Sequence, residues 1–185
     1  MSELITTCYG PVEKHVMTLA ADIRLLVCDV DGVLSDGLIY MGNDGEELKT
    51  FHTHDGFGIK ALLNAGIDVA VITGRNSNIV QRRMQALGVQ HIYQGQGNKL
   101  PAFEDLLDKL ELSASQAAYI GDDVIDLPVM NNAALGIAVA NAHPLVRQKA
   151  DWVTHTRGGE GAVREVCDLI LLAQGLFDSA QGMSI

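Results

Sequence analysis

Short, uninterrupted apolar runs recur along this chain, and they bound its fold more tightly than any other feature. LLVCDV at 25–30, DVAVI at 68–72, AAYIG at 117–121 and LGIAV at 135–139 have strand length, with weaker runs near 90–93 and 151–154. Continuous rather than alternating hydrophobicity marks strands buried on both faces, as in a parallel sheet. Between them, 56–65, 77–87, 100–110, 124–132, 144–149 and 161–174 carry helical spacing. Strand followed by helix, repeated, predicts an α/β fold with a Rossmann-like, doubly wound parallel sheet. Ligands bind such sheets beyond the carboxyl ends of the strands, and Asp29, Thr73 and Asp122 all fall at the ends of these runs.

Two regions break the repeat. Residues 37–53, GLIYMGNDGEELKTFHT, set two β-rich pieces around Asn43-Asp44-Gly45, which predicts a protruding β-hairpin. From Gly175 to Ile185 the chain is short and polar and reads as a tail. The length of 185 residues otherwise suits one domain over 1–185.

Charge and composition narrow the function. A net charge of −10 argues against nucleic acid as a partner, because phosphate backbones are bound through clustered Lys and Arg. An anionic small molecule therefore needs local counter-charge. The three cysteines, Cys8, Cys28 and Cys167, are far apart and suggest neither a disulfide framework nor a zinc site, which fits a reduced cytoplasm. The N-terminus lacks a basic segment leading into an apolar stretch, and no run has the length of a membrane span, so neither export nor membrane attachment is expected.

Polar signals gather on the expected rim: Asp29 and Asp31 in CDVDG, Thr73 in VITGR, Lys99 in GNKL, and Asp122, Asp123 and Asp126 in GDDVIDL. Alternate residues at a strand end point to opposite sides, so Asp29 and Asp31 are expected to do different jobs. Taken singly, each has a bland explanation as a turn, a cap, a solvated lysine or helix N-terminal acid. Independent turns would not set one ordered group on one rim.

In order and type these motifs resemble the haloacid dehalogenase superfamily of aspartate-dependent phosphatases, from Ile23 to about Gln174. The resemblance implies that Asp29 attacks phosphorus and that Asp31 serves as general acid and then general base. It implies Mg²⁺ held by Asp29, the backbone carbonyl of Asp31 and Asp122. Thr73 and Lys99 would stabilise the phosphoryl oxygens, Asp123 and Asp126 would support the metal waters or Lys99, and Gly32 and Gly74 would admit phosphate to the backbone.

Residues 32–72 and 74–98 leave no room for a cap domain, which points to the capless members and to an oligomer that covers the open site. Segments such as GLIYMGNDGEELKTF and GGEGAVREVCDLILLAQG resemble the capless branch that dephosphorylates an eight-carbon keto sugar acid for lipopolysaccharide synthesis. That branch implies a homotetramer with a C-terminal segment near a neighbour's site. It also implies substrate contacts from His52, His54, Asp55, Gly56, Gly74, Arg75, Arg83 and Lys99. Arginine matches a carboxylate bidentately, which gives Arg75 and Arg83 a chemical reason.

Two departures stand out. Glu160 sits where the family often has a basic residue, with Arg157 and Arg164 as possible compensation, and FHTHDG replaces FNxRDG. If 52–54 were a strand, His52 and His54 would share a face. The rivals are a phosphatase for another keto sugar acid phosphate such as an acylneuraminate 9-phosphate, a phospho-accepting receiver-like signalling domain, and an inactive member serving oligomerisation. Receivers place their acidic pair after the first strand and the acceptor later, the reverse of the order here.

Overall fold

The computed structural model describes residues 3–180. An antiparallel hairpin, β1 (Leu4–Thr7) and β2 (Gly10–Glu13), opens the chain and leads into α1 (Lys14–Ala21). The core strands are β3 (Leu25–Cys28), β6 (Asp68–Ile72), β7 (His91–Tyr93), β8 (Ala117–Gly121), β9 (Leu135–Ala138) and β10 (Trp152–Val153). A second small hairpin, β4 (Tyr40–Met41) and β5 (Glu47–Leu48), falls between β3 and β6 in the chain. The helices that follow are α2 (Thr53–Asn64), α3 (Asn78–Leu87), α4 (Leu100–Leu110), α5 (Leu127–Met130), α6 (Pro144–Lys149), α7 (Ala162–Ala173) and α8 (Phe177–Ala180).

The main sheet is parallel throughout, in the order β10-β9-β8-β3-β6-β7. Every residue of β3, β8 and β9 is buried, which is why these strands read as continuous apolar runs. From β3 the chain winds outward through β6 and β7, then returns to the other side for β8, β9 and β10. The reversal opens a crevice at the carboxyl ends of β3 and β8, where Asp29 and Asp122 emerge.

Local chemistry sets the element ends. Helix α3 stops at Gly88, whose φ of 90° is cheap only without a Cβ. Helix α4 buries Ala102, Phe103, Leu106 and Leu107 on one stripe, with a proline in its first turn. Helices α2 and α7 pack closely: a Cβ on Gly58 would lie 2.9 Å from Cys167 Cβ, so glycine sets their approach.

The structure departs from the sequence expectations at several elements. The hairpin's paired strands are shorter than residues 37–53, and α2 starts at Thr53 rather than 56. The predicted helix at 124–132 is a 3₁₀ turn, Val124–Asp126, followed by the short α5. The first hairpin and α1 lacked a strong sequence signal, since β1 and β2 are edge pieces of mixed polarity. Of the tail, residues 177–180 form α8 with Ala180 buried, and 181–185 lie outside the described residues.

Candidate active site

Asp29 directly follows β3 and is 6% exposed. Its backbone N–H donates to Ile120 O of β8, fixing the start of the loop that carries Asp31. Lys99, at the start of α4, turns inward so that Nζ lies 2.8 Å from Asp29 Oδ1 and 2.7 Å from Asp126 Oδ1. Nζ also donates to the Tyr119 hydroxyl at 3.3 Å, and that hydroxyl donates to Asp126 Oδ1 at 2.6 Å. The other Asp126 oxygen accepts the backbone N–H groups of Asp122 and Asp123 at 3.0 and 3.1 Å. With donors on both oxygens, Asp126 anchors Lys99 and shapes the turn after β8.

Asp29, Asp122 and Asp126 each offer an oxygen, all within 4.8 Å of one another. Because Asp126 is committed to four donors, Asp29 and Asp122 are the carboxylates left for an ion. Burial, reinforced by the charge of Asp126, pushes the Asp29 carboxyl up to about 6 despite Lys99. Burial and then the charge of Asp29 push Asp122 up to about 8. Two crowded, oxygen-only donors that resist joint ionisation suit a hard divalent cation. Gly32, at φ +89°, packs against this cluster: a Cβ there would fall 2.1 Å from Asp122 Oδ2.

These groups open on one cleft of about 300 Å³, lined by Asp29, Asp31, Thr73, Gly74, Arg75, Lys99, Asp122 and Asp123. Thr73 is buried at the end of β6, and its carbonyl accepts from Gln96 N–H. Asp123 caps the 3₁₀ turn by accepting from Val124 N–H at 2.7 Å. Lys99 stays charged: burial opposes the ammonium, but Asp29 and Asp126 outweigh it and hold its pKa above the ordinary value.

Asp31 takes a different partner from Asp29. Its Oδ1 accepts from Lys49 Nζ, carried in by the second hairpin. Glu47, on the same face of that hairpin, pairs with Arg75 at 3.2 Å and has an oxygen 4.0 Å from Lys49. Sequence reasoning passed over Lys49, Glu47 and Tyr119. The period of two in GEELKTF was the available sign for the first two, since it aligns 47 with 49.

Other sequence candidates are not brought to this cleft. His52, Asp55, Gly56 and Arg83 line a separate crevice, with Leu34 and Met84, that leaves no room for a water molecule. Residues 52–54 are not a strand: His52 is the N-cap of α2 and its Nδ1 accepts from His54 N–H, with the rings T-shaped at 4.6 Å. Asp55 instead accepts from Arg164 N–H at 2.8 Å, joining α2 to the start of α7. Arg164 has an acid partner within α7. Its Nε pairs with Asp168 at 2.8 Å and its guanidinium stacks 4.3 Å over Phe57, while Arg157 pairs with Glu160 itself at 3.4 Å.

A family model described as haloacid dehalogenase-like hydrolase matches residues 88–166. A 3-deoxy-D-manno-octulosonate 8-phosphate phosphatase of Salmonella typhi is 61% identical over 181 residues, covering 98% of this chain and 96% of that protein. The crystal structure of the phosphatase of that name from Yersinia pestis superposes with a TM-score of 0.98 at 57% identity, covering 100% of both chains. The Moraxella catarrhalis phosphatase, solved with magnesium, phosphate and the sugar acid KDO, gives a TM-score of 0.87 at 47% identity, covering 89% of this chain and 91% of that one.

Proposed function

Since this chain belongs to the 3-deoxy-D-manno-octulosonate 8-phosphate phosphatase family of haloacid dehalogenase-like hydrolases, we propose that Asp29 and Asp31 carry that reaction here. The protein is a Mg²⁺-dependent phosphoric monoester hydrolase that converts the sugar-acid phosphate to the free sugar acid and inorganic phosphate. Its place is in lipopolysaccharide biosynthesis. The observation that carries the residue assignment is the convergence of Asp29, Asp31, Thr73, Lys99 and Asp122 on one cleft.

Bound Mg²⁺ supplies positive charge that screens the phosphate from the carboxylates and polarises its P–O bonds. Asp29 and Asp122 hold it, with the Asp31 carbonyl. Asp29 forms the new O–P bond as the bond to the sugar oxygen breaks, leaving an aspartyl-phosphate. Asp31, protonated for this half, gives its proton to the departing alkoxide. It then takes a proton from water as that water attacks phosphorus, which releases phosphate and restores Asp29. Lys99 and the Thr73 hydroxyl stabilise the phosphoryl oxygens, and the Asp126 and Tyr119 partners keep Lys99 aimed at Asp29. Arg75 lines the same cleft, and we assign it to the sugar acid's carboxylate.

No helix among the described residues is long and apolar enough to cross a membrane. We place the enzyme in the cytoplasm as a homotetramer, with exposed Leu38 and Ile39, just before the second hairpin, and Met41 and Leu48 on it as the apolar surface that assembly would cover. A panel of sugar phosphates with Mg²⁺ tests the substrate. Preferential turnover of the eight-carbon substrate supports it, and equal turnover of unrelated phosphoesters, or a preference for acylneuraminate 9-phosphate, overturns it. Catalytic release of phosphate over many turnovers excludes a stoichiometric phospho-acceptor.

A further inference from the structure

The second hairpin exposes most of its side chains to water, yet Lys49, at its end, turns inward until only 4% of its side chain is exposed. A buried ammonium needs an oxygen to receive its N–H groups, and here Asp31 Oδ1 receives one. Glu47, two residues earlier, shares its face and grips Arg75 through both carboxylate oxygens at 3.2 Å. Leu48 between them points outward. Asp31 comes from the loop after β3 and Arg75 from the loop after β6, so one hairpin face binds both walls of the cleft.

We propose that Lys49 is a positioning residue: its ammonium, delivered by the hairpin, fixes the orientation of the Asp31 carboxyl toward the leaving oxygen. The inference rests on Asp31 being the general acid. Asp31 lies in the loop after β3, and among the described residues its side chain has no hydrogen bond or ion pair to the groups that hold Asp29, so another group must set its rotamer. Lys49 is that group among the described residues, and Glu47 with Arg75 keeps the hairpin seated. Without Lys49 the Asp31 side chain samples several rotamers, and proton delivery falls with the fraction that faces the substrate.

The leaving group separates this role from others. An alkyl oxygen needs a proton as it departs, whereas p-nitrophenolate leaves without one. Reading kcat/KM limits the measurement to binding and P–O cleavage and leaves out the later hydrolysis of the phospho-enzyme. Lys49→Met should lower kcat/KM on the sugar-acid phosphate and on glycerol phosphate by roughly 10- to 100-fold, and on p-nitrophenyl phosphate by less than about threefold. Lys49→Arg should recover most of the loss. Equal losses on all three substrates, or none, overturn the inference. A loss confined to the sugar acid, with glycerol phosphate spared, overturns it too, since Lys49 would then be touching the sugar.

Asp31→Asn is the control for the underlying reading. If it shows the same leaving-group selectivity and Lys49→Met does not, only the role of Lys49 falls. If Asp31→Asn is unselective, the acid assignment falls and the inference with it. Thermal melting checks each fold, and Lys49→Gln is read in the same way where methionine is not tolerated.

Discussion

Lys99 and Asp126 face each other at 2.7 Å with no more than 2% of either side chain in water. A buried pair of this kind does little for net stability, yet breaking it on one side is costly because the remaining charge is stranded. Here the pair has a second purpose, since the same ammonium meets Asp29 at 2.8 Å. Its position is set by Asp126 and the Tyr119 hydroxyl as well as by Asp29.

Asp126→Ala therefore strikes both fold and site. It leaves Lys99 with one carboxylate and removes the acceptor for Asp122 and Asp123 N–H. Denaturant unfolding should show a loss of about 3–5 kcal/mol. A loss below about 1 kcal/mol would mean that Lys99 simply repartners with Asp29 and water.

Asp29→Asn should eliminate phosphate release while the protein remains folded. An amide cannot form the acyl phosphate, and removing a nucleophile outright costs up to about 10⁶-fold in rate. Without metal, the neutral side chain relieves the crowding with Asp122, so the melting temperature should hold or rise. Residual wild-type-like turnover would remove Asp29 from the role of nucleophile.

Metal removal should be visible in stability as well as in rate. Metal-free Asp29 and Asp122 hold protons up to about 6 and about 8, because burial opposes their charge and so does a neighbouring carboxylate, Asp126 for Asp29 and Asp29 for Asp122. Both folded values lie above the unfolded ones, so the metal-free protein loses stability as pH rises from about 4 through those values. Added Mg²⁺ replaces the protons, and the melting-temperature gap between loaded and chelated protein should widen from pH 5 to pH 8. A gap that narrows over this range would contradict the site.

Asp55 offers a separate pH test away from the cleft. It is buried, its Oδ2 has no hydrogen-bond partner among the described residues, and desolvation raises its carboxyl to about 6. The raised value again means stability that is present at low pH and lost as pH rises through about 6. Asp55→Asn removes that loss, so its melting temperature relative to wild type should improve between pH 5 and pH 8. An unchanged difference would show that Asp55 gains a partner in solution.

Gly32→Ala should fail for two reasons at one atom. The φ of +89° disfavours an L side chain, and the new Cβ would overlap Asp122 Oδ2 at 2.1 Å. Magnesium affinity, read by titration against melting temperature, should fall along with turnover. Unchanged magnesium affinity would mean that the loop moves aside without disturbing Asp122.

The sequence by itself determined the sheet and the polar residues on its rim. Apolar runs such as 25–28 and 117–120 can only be satisfied by burial on both faces, and short-range order alone sets Asp29, Thr73 and Asp122 at strand ends. What only the tertiary structure decided was which charge meets which. Lys49 reaches Asp31 across eighteen residues of chain, and Lys99 reaches Asp126 across twenty-seven. Asp55 and Arg83, near the motifs in sequence, close a dry crevice instead of facing the cleft. Hydrophobic periodicity is a local property of the chain, whereas the pairing of buried charges depends on how loops from separate strands converge, and no spacing encodes that.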